Sequence, residues 1–169
     1  MADIARRVNL TAGSLYHHFP AGKRDLLLAV LNTGLETILA EIDGITEERL
    51  PPDETLRKMI EAHVLNVTQN VSVGAAMVFE IRILMDLQDD VESRDALLRR
   101  RDDFERRYRR VIEQGIAAGI FRAVDVPVFT KAMLGAHNWI SVWYRPDGRL
   151  SGQEIADRMV ETFLHALRC

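Results

Sequence analysis

The chain has 169 residues, of which 47% are hydrophobic and 28% are charged, and its net charge at pH 7 is −3. This composition supports a packed core, and the acidic balance excludes a protein that coats nucleic acid with its whole surface. The single cysteine excludes an intrachain disulfide, and no apolar run reaches the roughly 18 residues of a membrane span. Because the N-terminus lacks the apolar stretch of a signal peptide, a reducing cytoplasm is the expected compartment.

Charge is distributed unevenly along the chain. Residues 1–24 carry a net charge of +3, whereas residues 36–61 carry a net charge of −5. A basic head followed by an acidic body is typical of a small DNA-binding domain attached to a body that does not bind DNA.

The helical spacing of apolar residues predicts an all-α chain with no strand. The predicted helices cover residues 2–8, 12–18, 22–43, 53–70, 73–87, 92–118, 127–144 and 151–167. The helix at 73–87 is apolar nearly all round, which is typical of a helix at the centre of its domain. Gly44, together with Leu50-Pro51-Pro52, predicts a linker after the third helix.

Four residues are predicted to cap helices at their N-termini, and the first is Thr11, directly before the second helix. Asp53 and Asp125 each precede an apolar stripe, and Pro127 falls in the first turn that Asp125 would cap. Ser151 is followed three residues later by Glu154, which predicts a capping box at the start of the last helix.

The first two predicted helices are short and are joined by a three-residue break at Asn9-Leu10-Thr11. This arrangement predicts a helix-turn-helix, in which the second helix enters the major groove of DNA. The outer face of that helix is polar, and its hydroxyl and imidazole groups can bind phosphates or base edges. These polar residues are Thr11, Ser14, Tyr16, His17 and His18.

Three segments carry a resemblance to a known family. Residues 3–8 (DIARRV), 11–19 (TAGSLYHHF) and 22–27 (GKRDLL) closely resemble the signature of the TetR family of transcriptional regulators. The resemblance implies DNA contacts by Thr11, Ala12, Gly13, Ser14, Tyr16, His17 and Lys23. The resemblance implies that Thr11, Tyr16 and Lys23 bind phosphates of the DNA. Ser14 and His17 face the bases, and Gly13 lets the helix approach the DNA closely.

The resemblance also implies a further helix before Ala2, which in the family covers residues such as Ile4, Leu15 and Phe19. The sequence therefore predicts either a true start upstream of Met1 or a truncated headpiece. Exposure of the apolar side chains in a truncated headpiece would destabilise it by several kcal/mol, at about 25 cal/mol per Å².

The remainder of the chain resembles the regulatory domain of the same family. The expected organisation is a DNA-binding headpiece at residues 1–44 and a six-helix ligand-binding and dimerisation domain at residues 45–169. The last two helices carry broad apolar faces, which suit pairing with a second copy of the chain in a four-helix bundle. A homodimer also places two recognition helices the roughly 34–36 Å apart that a palindromic double-stranded operator requires.

A ligand pocket is expected between the helices at 53–70, 73–87, 92–118 and 127–144. Apolar walls that are rich in methionine suit a small hydrophobic ligand, although ordinary core packing is the favoured explanation for any single one of these residues. The candidate lining residues are Met59, His63, Met77, Ile81, Met85, Phe104, Tyr108, Trp139 and Trp143.

A second segment refines the expected effector. Asn138-Trp139, Trp143 to Pro146, Gly148 and Leu150 resemble TetR regulators of fatty-acid, steroid and aromatic-acid breakdown, several of which respond to acyl-coenzyme A thioesters. The resemblance implies an acyl-coenzyme A or lipid-like effector that releases a repressor from its operator. Arginines on the helix at 92–118 are candidates for contacting a coenzyme A phosphate, although a charged run of this kind more often forms a solvated face.

The sequence shows no catalytic motif and no cofactor motif. The five histidines lack metal-ligand spacing, and there is no glycine-rich phosphate loop. An all-helical enzyme would have only His63, Glu80 and His137 as buried polar candidates. The principal alternative to a repressor is a helical dimer that binds a small molecule and whose truncated DNA head is not functional.

Overall fold

The computed structural model describes residues 1–79 and 91–168, and these residues form eight α-helices. The helices are α1 (Ala2–Arg7), α2 (Ala12–His18), α3 (Lys23–Glu47), α4 (Pro52–Gln69), α5 (Val71–Phe79), α6 (Val91–Ala117), α7 (Val126–Trp143) and α8 (Gly152–Leu167). The all-α prediction is confirmed. Five of these helices lie beyond residue 45, so the predicted count of six for that domain stays a prediction.

The first two helices form the predicted helix-turn-helix. The turn between them passes through Asn9, whose φ of 55° lies in the left-handed region that asparagine tolerates better than most residues. The Leu10 N–H donates to the Ala5 carbonyl at 2.9 Å, which holds the turn against α1. Val8, which the sequence places on the same inner face as Ala5, is exposed, because α1 ends at Arg7 and the chain turns outward.

Helix α3 connects the headpiece to the body without a break. It begins after Gly22, which has a φ of 75°, and it continues through Gly44 to Glu47. The prediction that Gly44 belongs to a linker is therefore wrong. Ile42 is buried and Ile45 packs on the core, and this tertiary packing outweighs the low helix propensity of one glycine.

Helix α4 is the central helix of the body, since it packs against α3, α5, α6, α7 and α8. Helix α5 has no buried residue within its described span, so the prediction that the 73–87 helix is central is wrong for that part. Residues 80–87 of that prediction lie outside the described part of the chain. The apolar side chains of α5 are at most partly buried: Val71 packs on the main core, and Ala76 and Met77 pack on the cluster of Leu28, Leu31, Leu35 and Leu97.

Three of the four predicted caps are confirmed. Thr11 caps α2, the Asp125 carboxylate accepts from the Val128 N–H at 3.0 Å, and Ser151 and Glu154 form the predicted capping box. The prediction for Asp53 is wrong, because α4 begins one residue earlier than predicted, at Pro52. Proline suits the first helical position, where its missing N–H would have no partner, so Asp53 falls within the first turn.

Helices α3 and α6 are joined by a small apolar cluster and by ion pairs. Leu28, Leu31, Leu35 and Leu97 form a second core beside the headpiece, separate from the larger core of the body. Further along the same two helices, Arg107 binds both carboxylate oxygens of Asp43, at 2.5 and 2.8 Å. The helix that leaves the headpiece is therefore fixed to the body along much of its length.

Candidate functional site

The first candidate site is the outer face of α2. Leu15 points inward and is 6% exposed, whereas Tyr16 on the opposite side is 52% exposed. Thr11, Gly13 and His17 are also exposed, and Ser14 and Ala12 are half-buried. A helix with one buried anchor and a polar outer face is available for contact with another molecule.

The N-terminus of α2 is held by Thr11, whose hydroxyl oxygen accepts from the Ser14 N–H at 3.1 Å. The Thr11 hydroxyl proton stays free to donate, so the capping role is compatible with a phosphate contact. Lys23 is exposed at the first turn of α3, directly after the bend at Gly22. The Tyr16 ring lies over that bend, since a Cβ atom built on Gly22 would be 3.5 Å from its Cε1.

The second candidate site is a cavity of about 380 Å³ between α3, α4, α5, α6 and α7. The pocket predicted from the sequence lies between the last four of these helices and does not include α3. The described lining residues are Gly34, Leu35, Ile38, His63, Asn66, Val67, Val73, Gly74, Met77, Leu98, Arg101, Asp102, Phe104, Glu105, Lys131, Leu134, Gly135 and Asn138.

The predicted pocket residues divide into four groups. His63, Met77 and Phe104 line the cavity. Met59 and Tyr108 do not line it: both are fully buried in the core, where the Tyr108 hydroxyl donates to the Met59 carbonyl at 2.8 Å. Trp139 and Trp143 also lie elsewhere, because they are on the outward side of α7 and are 52% and 45% exposed. Ile81 and Met85 lie outside the described residues.

Two buried histidines meet beside the cavity. The Nδ1 atoms of His63 and His137 are 3.3 Å apart, and the His63 ring also packs edge-on against Phe104. Burial lowers the pKa of His63 to about 4, although a side-chain hydrogen bond with Asn138 acts in the opposite direction. Burial, and then the neighbouring His63, hold the pKa of His137 well below its usual value. Both rings are therefore neutral at pH 7, and one donates its Nδ1–H to the other.

Charged residues line the α6 and α7 side of the cavity. Glu105 binds Lys131 at 3.0 Å and also pairs with Arg109. Burial would raise the pKa of Glu105, but its hydrogen bonds and charge interactions with Lys131 and Arg109 outweigh this effect and lower it. Arg101 is half-buried and has no hydrogen bond or ion pair within the described residues.

Several of these lining residues were missed from the sequence. For Arg101 the sequence gives only the general expectation for the arginines of the 92–118 helix, a coenzyme A phosphate contact or a solvated face, and it places the α3 residues Leu35 and Ile38 in the headpiece. Asn138 was noted only as part of a resemblance. The helical periodicity of α6 does indicate that Arg101 lies beside Phe104, at a spacing of three residues, but it does not show which neighbouring helix faces it.

The outward side of α7 forms an exposed apolar stripe. Its members follow each other at intervals of three or four residues, so they share one side of the helix. The stripe consists of Val128, Ala132, Gly135, Trp139 and Trp143. The Trp139 ring also contacts that of Phe79 on α5, at a centroid distance of 6.3 Å. An apolar surface of this kind on a helix commonly marks an interface.

Comparison with known families identifies both parts of the chain. Residues 49–167 match the model of the tetracyclin repressor-like C-terminal domain, and residues 1–30 match that of the bacterial regulatory proteins of the tetR family. The chain belongs to the TetR family. Proteins of this family are DNA-binding transcriptional regulators rather than enzymes, and they bind operator DNA and form dimers.

Curated relatives in the TetR family include two transcriptional repressors. The HTH-type transcriptional repressor KstR2 of Mycolicibacterium smegmatis is 27% identical over 166 residues, which cover 96% of this chain and 77% of that protein. KstR2 of Mycobacterium tuberculosis strain H37Rv is 28% identical over 167 residues, which cover 96% of this chain and 79% of the relative.

Solved structures of TetR regulators share the fold. The regulator PfmR from Thermus thermophilus has a TM-score of 0.84 and 30% identity, covering 96% of this chain and 86% of that one. The structure of AibR in complex with isovaleryl coenzyme A and operator DNA has a TM-score of 0.79 and 28% identity, covering 95% and 84% of the two chains.

Two further observations bear on other functions. No helix in residues 1–79 or 91–168 combines the length and the apolarity that crossing a bilayer requires. Over the same part of the chain, no three His, Cys, Asp or Glu side chains are grouped as metal ligands. The His63–His137 pair, which the sequence analysis considered as a catalytic candidate, is a buried neutral pair beside the cavity.

Proposed function

We propose that this TetR-family chain is an operator-binding repressor that works as a homodimer and is released from DNA by a hydrophobic or acyl-coenzyme A effector. The observation that carries the proposal is the exposed polar face of α2, which has Leu15 as its buried anchor. Nothing within the described chain occupies the Tyr16 and His17 side of this helix. A helix must expose such a face to enter the major groove and contact the base edges.

The proposed DNA contacts divide into two sets. Thr11, Tyr16 and Lys23 bind phosphates, and Ser14 and His17 face base edges, with Ala12 and Gly13 at the point where the helix comes nearest the DNA. Phosphate contacts determine the position of the protein on the duplex and most of the salt dependence of binding, whereas base contacts determine which DNA sequence is preferred. The resemblance of residues 11–23 to the family signature supports this division, as does the exposure of Thr11, Tyr16, His17 and Lys23.

The proposed dimer forms through α7 and α8. The stripe on α7 from Val128 to Trp143 is apolar and exposed, and Met159 and Phe163 on α8 are only half-buried. Pairing these faces with those of a second copy would bury the two tryptophans, which are strong contributors to interfaces. Residues 1–44 would then act as the headpiece and residues 45–169 as the ligand-binding and dimerisation domain, although α3 runs through the boundary.

The proposed effector binds in the cavity between α3 and α7. Its walls combine apolar side chains with polar and charged ones on the α6 and α7 side, which suits an effector with a hydrocarbon part and a polar part. AibR, a structural relative, has been solved with isovaleryl coenzyme A and operator DNA. Since α3 lines the cavity and also begins beside α2, a ligand that prefers one position of α3 shifts the spacing of the two headpieces. Release then follows as a population shift toward dimers that no longer match the operator.

The decisive experiment measures binding of the chain to DNA from its own gene neighbourhood at several salt concentrations. We expect tight binding to a palindrome that weakens steeply with salt. Lys23→Ala should weaken binding to all sequences and reduce the salt slope by about one, and Tyr16→Phe should also weaken it. Added acyl-coenzyme A should release the wild-type complex.

A matched control is Lys58→Ala, since Lys58 lies beside Glu48 at the far end of α3, about 37 Å along a helix of 25 residues. This variant should bind as the wild type does. Binding no stronger than to random DNA, in a folded protein, would refute the repressor and leave a ligand-binding dimer as the remaining function.

A further inference from the structure

We propose that Arg101 is the anion-binding residue of the cavity, so that the effector is an amphipathic anion whose hydrocarbon part lies inside and whose carboxylate or phosphate binds the Arg101 guanidinium. This inference rests on the proposed ligand-binding role of the cavity and adds the chemical class of the ligand. It also names the residue that selects that class.

The Arg101 guanidinium is free to bind a ligand. Its side chain is half-buried on the cavity wall, and it has no hydrogen bond or ion pair within the described residues. None of its nitrogen atoms is among the fully enclosed side-chain atoms that lack a partner, so its donors stay reachable from the cavity or its mouth. A guanidinium stays charged under these conditions, and it presents five donors in a planar fork that matches a carboxylate or a phosphate.

The other cation at the described cavity wall is already paired. Lys131 binds the Glu105 carboxylate at 3.0 Å, and Arg109 binds the same carboxylate from the next turn of α6. Glu105, which lies four residues from Arg101, is therefore already paired with two cations. Burial lowers the pKa of Arg101, and the charges of Asp102 and Glu105 act in the opposite direction. Neither carboxylate forms a hydrogen bond or an ion pair with Arg101 within the described chain, and Asp102 is exposed. Among the described lining residues, Arg101 is consequently the cation whose charge a ligand can meet.

The hydrocarbon part of the ligand follows from the rest of the wall. Leu35, Val67, Phe104 and Leu134 present apolar groups from four different helices. The volume of about 380 Å³ is near the lower end of the range for ligand pockets, roughly 300–1,000 Å³. A hydrocarbon chain of moderate length fits inside, and a large headgroup would extend through the opening past the charged residues of α6.

The test is direct calorimetric titration of the dimer, without DNA, by three ligands that share one eight-carbon chain: octanoate, octan-1-ol and octanoyl-coenzyme A. The variants are Arg101→Met, which keeps the length of the side chain and removes the charge, and Arg101→Lys, which restores a charge. The matched control is Arg99→Met, which removes an exposed arginine from the same helix. Thermal unfolding confirms that each variant is folded.

We expect at least one of the two anionic ligands to bind more tightly than octan-1-ol. Arg101→Met should weaken the binding of that anion by about tenfold or more, because a charge-assisted hydrogen bond is lost. It should leave the affinity for octan-1-ol unchanged. Arg101→Lys should recover part of the affinity, and Arg99→Met should change nothing. Preference for octanoate identifies a carboxylate, whereas preference for octanoyl-coenzyme A identifies a phosphate of the coenzyme.

The inference is overturned if no ligand of the three binds, if the alcohol binds as well as the anions, or if Arg101→Met leaves anion affinity unchanged in a folded protein. None of these results affects operator binding by the ligand-free chain, which is measured separately. Failure of the anion site and failure of the repressor function are therefore distinguishable.

Discussion

At the scale of single residues, the fold does not explain why a glycine stands at position 13. A Cβ atom placed on it would have only the Thr11 hydroxyl oxygen within 4 Å, at 3.9 Å, so no packing inside the described chain requires a glycine there. Glycine destabilises a helix relative to alanine, and the open space around Gly13 fits the proposed close approach of α2 to DNA.

We therefore expect Gly13→Ala to keep or raise the free energy of unfolding, by up to about 1 kcal/mol, and to weaken operator binding. The expected loss is about tenfold, which corresponds to about 1.4 kcal/mol, because the added methyl group separates α2 from the DNA backbone. Urea unfolding and fluorescence anisotropy with labelled operator measure the two effects.

Gly44→Ala is the matched control for this prediction. Gly44 is also an exposed helical glycine with open space around it, but it lies near the far end of α3. Its replacement should stabilise the protein without changing operator affinity. Equal operator affinity for Gly13→Ala and the wild type would show that the DNA does not approach α2 at this position.

The His63–His137 pair predicts a dependence of stability on pH. The pKa of His63 is about 4 in the folded chain, against 6.5 in the unfolded chain, so the unfolded state binds more protons between these values. The free energy of unfolding is therefore unaffected by protonation of His63 above pH 6.5, and it decreases as the pH falls from 6.5 toward 4. The expected decrease in the free energy of unfolding is roughly 3 kcal/mol for this residue.

Unfolding by urea at intervals from pH 7.5 to pH 4 measures this decrease. His63→Gln cannot take up a proton, so its profile should be flatter than that of the wild type between pH 6.5 and 4, even if it is less stable at pH 7.5. His165→Gln replaces an exposed histidine and should leave the slope unchanged. Parallel profiles for the wild type and His63→Gln would contradict the prediction.

At the scale of helices, α3 belongs to both functional regions, since it starts at the headpiece and lines the cavity. The bidentate pair between Asp43 and Arg107 fixes its far half to α6. The hydrogen bonds from Arg107 lower the pKa of Asp43, against the smaller opposing effect of burial. Geometry of this kind makes an ion pair worth more than an isolated surface pair.

A double-mutant cycle with Asp43→Asn and Arg107→Met should give a coupling energy of about 1 kcal/mol, because each variant removes one charge of the same bidentate pair. Chemical denaturation of the four proteins provides the values. The comparison variant is Arg106→Met, whose partner Asp103 lies on the same helix. It should show no coupling to Asp43→Asn, and coupling of similar size in both cycles would argue against a specific α3–α6 link.

Most helices and their caps could be predicted because they depend on local sequence. Ser151 with Glu154, and Asp125 with Pro127, are close in the chain and act on the same turn. Gly44 was misassigned because the packing of its neighbours on distant helices decides whether the helix continues. The central position of α4 has the same origin, since an apolar pattern does not show how many neighbours a helix has.

At the scale of the whole molecule, the exposed stripe on α7 predicts how the subunits assemble. Trp139→Glu together with Trp143→Glu would place two charges in an interface that excludes water, so we expect monomers in sedimentation velocity experiments. Operator binding should fall sharply, because one recognition helix cannot span two half-sites. These residues are exposed in a single subunit, so the variant should stay folded.

Tyr16→Phe is the companion to this variant. It should remain dimeric and lose operator affinity through a local contact alone. A double tryptophan variant that stays dimeric would show that the subunits meet through another surface.

The sequence by itself determined the all-α class, the helix-turn-helix and the family, because these depend on periodicity, on caps and on a contiguous motif of about 25 residues. Which side chains share the cavity was decided only by the tertiary structure. His63, Arg101 and Asn138 come from three helices that are far apart in the chain, and their separation depends on how the helices pack. The same packing turned Trp139 and Trp143 outward, since residues on an apolar helix can face a cavity, a core or a second subunit without any change in pattern.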